Sequence, residues 1–143
     1  MTLLNFNLSS DGIALDWNSH YLDLHSNFDF HGLHYALPEQ QVELTWLRSP
    51  EKWARHEQLP GFMLIFKHVN FFRVKERDSA YPPTEDDCIS NVAFHPTVAR
   101  DEYDNIYLET SPSDDLTFFF QSEWGIKVNA KTAELIPLIT AEL

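Results

Sequence analysis

The sequence is short of the features that usually announce chemistry. It has one cysteine, Cys88, so no internal disulfide can form and stability has to come from a packed interior. It has four glycines, none in a phosphate-cradling cluster, and it lacks GxSxG, HExxH and HxD. Those absences remove the local marks of P-loop, dinucleotide, acyl-transfer and common metalloenzyme sites. No apolar run approaches the roughly 20 residues that cross a bilayer, and MTLLNFNLSSDG sets no basic stretch ahead of an apolar one. The expectation is a cytoplasmic protein with no membrane partner.

Positive charge is the other scarcity. Ten Lys and Arg stand against 22 Asp and Glu, for a net charge of −12 at pH 7. Residues 1–47 hold six acids and no Lys or Arg, residues 48–77 hold seven bases and three acids, and residues 78–143 hold 13 acids and three bases. Nucleic acid is excluded as a partner, because binding its phosphates requires a basic patch that releases counterions. If folding gathers the acids of the last segment, they steer in a basic protein; dispersed, they only keep the chain soluble.

What is present suffices for one domain. With 143 residues, 43% of them apolar and 14% aromatic, the chain suits a single unit over 1–143 with its own core. Alternation dominates. Leu4, Phe6 and Leu8 share one parity, SSDG reads as a turn, and Ile13, Leu15 and Trp17 resume the pattern, pairing Leu8 with Ile13. YLDLHSNFDF reads as one strand with Leu22, Leu24, Phe28 and Phe30 inward. The parity then flips at His31 and Gly32, which a two-residue turn or a bulge explains. VELTW returns to pair Leu37 with Val42 and Leu33 with Trp46.

Farther along, SPEKWARHEQLPG breaks the alternation and predicts one short helix, with Ser49 as a cap and Pro50 at its start. Phe62–Phe66 and 71–75 read as two strands, 77–87 as a loop with a helical turn capped by Thr84, and 88–95 as another strand. IYLET, LTFFFQ and IKVNA predict three more. A three-residue loop at 123–125, with Gly125 left-handed, would set Phe120 against Val128; a helical turn precedes Pro137. The fold class is mainly β: an antiparallel β-sandwich or meander-like barrel of about ten short strands with one or two short helices.

Few residues point to chemistry. Asp29, His31 and His34 could supply N and O ligands to a metal, or serve a sugar-binding face, yet as a strand's wet side they make only an Asp29–His34 cross-strand pair. Cys88 follows Glu85, Asp86 and Asp87, a negative neighbourhood that disfavours thiolate. The cluster Asp101, Glu102 and Asp104 has the oxygens of a calcium loop without its glycine bend. Trp17 and Trp46 belong to the inner parity, whereas Trp124 at a hairpin tip is the best candidate for an exposed anchor.

Acidity without catalytic marks points to a non-enzymatic binding protein, an inhibitor or immunity-like partner of a basic protein, with Trp124, Asp101, Glu102 and Asp104 as its contact residues and no cofactor. Two alternatives stand beside it: a metal- or sugar-binding β-domain using Asp29, His31 and His34, and a structural or assembly subunit that forms a homo-oligomer through strand edges.

Overall fold

The fold was obtained as a computed structural model, in which residues 1–139 are described. Its strands are β1 (Thr2–Leu3), β2 (Asn7–Leu8), β3 (Ala14–Trp17), β4 (His20–Asp23), β5 (Phe28–Ala36), β6 (Gln41–Arg48), β7 (Gly61–Lys75), β8 (Ile89–His95), β9 (Asp115–Phe120) and β10 (Gly125–Pro137). Three single turns of 3-10 helix lie at Lys52–Ala54, Pro83–Glu85 and Thr97–Ala99. The molecule is thus mainly β.

The large sheet runs β5-β6-β7-β10-β9-β8, antiparallel throughout, and β1 adds to the second half of β10 in parallel. It curls into a half-barrel, and its two ends meet where Phe30 N–H donates to Asp87 O at 2.8 Å. A small sheet, β2-β3-β4, packs against it through Phe6, Leu15, Leu22 and Leu24. The alternation seen in the sequence is the cause of the curl's inside: Val42, Leu44 and Trp46 of β6 and Phe62, Leu64 and Phe66 of β7 are fully buried. Trp46 stacks on Phe62 at 5.5 Å and meets Phe118 at 5.4 Å, giving the core its aromatic centre.

Several expectations are corrected, each by turn chemistry. Leu8 pairs with Leu15, because the turn between β2 and β3 is longer than SSDG, and Tyr35 with Val42, because the second turn occupies 37–40 rather than 38–41, so both hairpins slip by two residues from the expected register. YLDLHSNFDF is not one strand: Asp23 Oδ1 accepts from the N–H of His25 (2.9 Å) and Ser26 (2.8 Å), ending β4 in an Asx turn. At Gly32 the bulge is what forms, with His31 as the extra residue between the Phe30–Trp46 and Gly32–Thr45 pairs.

The expected helix after Pro50 shrinks to one 3-10 turn, and Thr84 lies within a turn whose cap is Pro82. The expected strands at 62–66 and 71–75 fuse into β7 across a bulge at Asn70, two residues after His68, which takes a φ of 56°. IYLET forms no strand. The β9–β10 turn puts its left-handed residue at Glu123 (φ 68°), not Gly125, and pairs Val128 with Leu116. The expected turn before Pro137 is strand, the end of β10.

Candidate functional site

Half of the sheet is covered on its second face as well. Where β7, β10, β9 and β8 run side by side, residues 96–114 fold back over the outside, so Asp115, Thr117, Lys127 and Asn129 are buried although they alternate with core residues. The cross-strand row Arg73, Lys127, Thr117 and Ala93 carries this layer. Gly125 opens room above it: a Cβ there would sit 2.4 Å from a ring carbon of Tyr103, so the absence of a side chain lets that ring lie on the strand.

Ionic bonds secure the cover. Arg100 donates from Nε and a terminal nitrogen to the fully buried Asp115 at 3.0 and 3.1 Å, and its guanidinium lies 3.6 Å from the centre of the Phe71 ring. Asn129 donates to the same carboxylate at 2.9 Å. Lys127 Nζ donates to His95 Nδ1 at 2.9 Å and lies 4.9 Å from the centre of the Tyr103 ring. Burial, ahead of any charge, pulls the Lys127 ammonium down to about 8. Burial and then Lys127 hold His95 below the usual imidazole range, so His95 is neutral; with Lys127 donating to Nδ1, which also lies 3.1 Å from Glu102 O, the proton sits on Nε2 and is donated to Asn105 O at 2.8 Å. His95 therefore anchors the loop that carries the acids. The hydroxyls of Tyr103 and Thr117 are buried in this layer without hydrogen-bond partners.

On the outer side of that anchor lies a cavity of about 360 Å³, bordered by Asp101, Glu102, Asp104 and Glu123 with Lys75, Tyr103, Asn105 and Phe119. Asp101 accepts from Arg73 at 3.0 Å, and Glu102 from Asn105 at 2.6 Å and from the Tyr107 hydroxyl. Lys75 Nζ donates to the Glu123 carbonyl at 2.6 Å and lies 5.7 Å from the Phe119 ring centre. Among the described residues, the carboxylates of Asp104 and Glu123 have neither a hydrogen-bonding nor an ion-pairing partner.

The acids expected as contact residues, Asp101, Glu102 and Asp104, thus gather around one hollow, joined by Glu123 from the β9–β10 turn. Trp124 does not join them. It faces the other way, half-buried, stacked on Phe120 at 4.2 Å with its Nε1–H donating to Asp86 O at 2.8 Å. Sequence reasoning missed Glu123, whose signal would have been its place beside Trp124 in a turn, and it missed the buried Lys127, which reads as a wet-face residue until the cover is known.

The remaining candidates stay apart. Asp29 is half-buried near Asp87, and burial, followed by Asp87 and Glu51, holds its carboxyl above the ordinary range. His31 projects from the bulge and His34 faces Glu43, both exposed. Among the described residues, no group of three or more His, Cys, Asp or Glu is placed to hold a metal ion. Burial, then Glu85 and Asp87, pushes the Cys88 thiol up to about 11, which makes it a poor nucleophile. No described helix is long and apolar enough to cross a membrane. In comparison with known proteins, the chain matches no family, no curated protein and no solved structure.

Proposed function

We propose that this chain is a non-enzymatic binding protein that captures a basic protein, with Asp101, Glu102, Asp104 and Glu123 receiving a cationic side chain. One observation carries the reading: four acidic residues from two separate parts of the chain border one cavity that holds one cation, Lys75, and two of their carboxylates have no partner among the described residues. An unpaired acid at the rim contributes mainly to encounter rate and to rejection of wrong partners. Phe119, half-buried at the border, adds an aromatic ring near which a cation rests favourably, as Lys75 already does at 5.7 Å.

Titration calorimetry with an arginine-rich peptide at low and high salt tests this. The variant Asp101→Asn, Glu102→Gln, Asp104→Asn is expected to lose roughly tenfold in affinity, about 1.4 kcal/mol. A control that removes the same charge elsewhere, at the exposed Asp16, Glu39 and Glu76, is expected to lose far less. Equal losses would leave only the overall field, and no loss in either would end the proposal.

A further inference from the structure

β8 is the last strand of the large sheet, and its outer edge is only partly used. Val92 N–H points outward and donates to Gly12 O at 2.7 Å, so Val92 and Phe118 form a non-hydrogen-bonded pair in the ladder with β9. Alternation then turns the N–H and C=O of Phe94 outward too, and among the described residues that N–H has no backbone partner. A groove of about 280 Å³ runs along this edge, with Asn91–Phe94 as its floor, the 9–12 turn as one wall and Ile106 with Leu108 as the other. Leu108 is 95% exposed and Ile106 72%, an unusual cost for apolar side chains standing beside an open strand edge. The side-chain oxygen of Asn91, on the floor, is buried without a hydrogen-bond partner.

The track continues. A second hollow of about 450 Å³ shares Phe94 and Thr110 with the first and reaches Met1 and Thr2. Neither hollow is lined by Lys or Arg; Asp11 stands at the mouth, and the loop that forms the far wall carries Glu109 and continues back to Asp104 and Glu102. An apolar channel with the free N–H and C=O of Phe94 on its floor and Asp11 at its mouth matches an extended segment with alternating apolar and basic residues. A second copy of the chain suits it poorly, because a molecule of net charge −12 would be docking against acids.

We infer that the edge of β8 receives an extended, basic segment of a protein partner as an added strand, its apolar side chains resting on Ile106 and Leu108. The inference rests on the basic-partner reading above and gives that partner a binding mode. The probe is a synthetic peptide alternating Val and Lys, with a counterpart N-methylated on the amides of one edge, titrated into the full chain and followed by amide chemical shifts and calorimetry. The expected result is shifts at residues 91–94 and 106–108, with the methylated peptide at least about tenfold weaker because it cannot pair. Leu108→Glu separates this from simple charge attraction: it makes the rim more acidic, so attraction alone predicts tighter binding, whereas loss of the apolar wall predicts weaker binding. Equal affinity for both peptides, or tighter binding to Leu108→Glu, overturns the added strand while leaving the acidic cavity as a contact site. Concentration-dependent self-association abolished by Leu108→Glu would put a second copy in the groove and overturn the assignment of partner.

Discussion

Lys127 is an ionisable residue held inside the fold. Its ammonium is fully buried, with Asp115 and Thr117 on β9, Arg73 on β7, His95 on β8, and Arg100, Glu102 and Tyr103 in the covering segment around it. Its proton is held less tightly in the folded chain, near 8, than at the ordinary 10.5 of an exposed lysine. Between these values the unfolded chain binds more protons than the folded one, so this group makes stability rise as pH climbs from 8 towards 10.5. Lys127→Met is expected to flatten that rise in urea titrations at stepped pH. At pH 7 it also leaves His95 Nδ1 and Ala99 O without their donor, a loss that offsets the relief of the buried charge. A variant that keeps the full alkaline rise would assign it to another group.

At the scale of elements, two contacts decide how β10 is used. Asn5 lies just after β1 and imitates a strand: its side-chain amide donates to Leu135 O at 2.8 Å and accepts from Leu135 N–H at 2.8 Å. Asn5→Ala leaves both backbone groups unpaired and is expected to cost about 2 kcal/mol in denaturant unfolding. Gly125→Ala, by contrast, works at a distance. Its new Cβ meets Tyr103, which must move, so a loss of about 1–3 kcal/mol should come with faster hydrogen exchange across residues 101–105. Exchange unchanged there would show that the ring yields without its loop.

These same elements mark what the sequence makes legible. The expected pairings miss by two residues at the Leu8 and Val42 hairpins and by four at Val128, always an even number, so paired apolar residues keep their face, while Leu4 and Leu37, expected inward, fall outside the strands and are exposed. Side-chain alternation fixes which face is inward, whereas register depends on where a turn starts and how long it is, and turns such as Leu37–Gln40 with Gln40 at φ 50° carry no unambiguous sequence mark. Asp101, Glu102 and Asp104 could be picked out because they sit together in the chain. Glu123 and Lys127 could not, since their roles come from the 96–114 segment folding over a face that local pattern assigns to water.

For the molecule as a whole, the net charge of −12 is a standing repulsion, and the candidate site concentrates it. If Asp104 and Glu123 served the fold, each would have a donor or a cation beside it, as Asp115 has Arg100 and Asp86 has Arg77 and Ser122. Among the described residues neither carboxylate has such a partner, and Lys75, which borders the same hollow, donates to the Glu123 backbone carbonyl instead, so the fold draws no direct bond from either charge. Sites retained for binding often show this conflict with stability. Asp104→Asn with Glu123→Gln is therefore expected to raise Tm by about 2 °C at low salt, with the gain fading as salt screens the remaining acids. The same variant should bind the arginine-rich peptide more weakly. Stability rising while affinity falls is the combination a binding surface requires; a lower Tm would make the two acids structural and remove the reason for reading the hollow as a site.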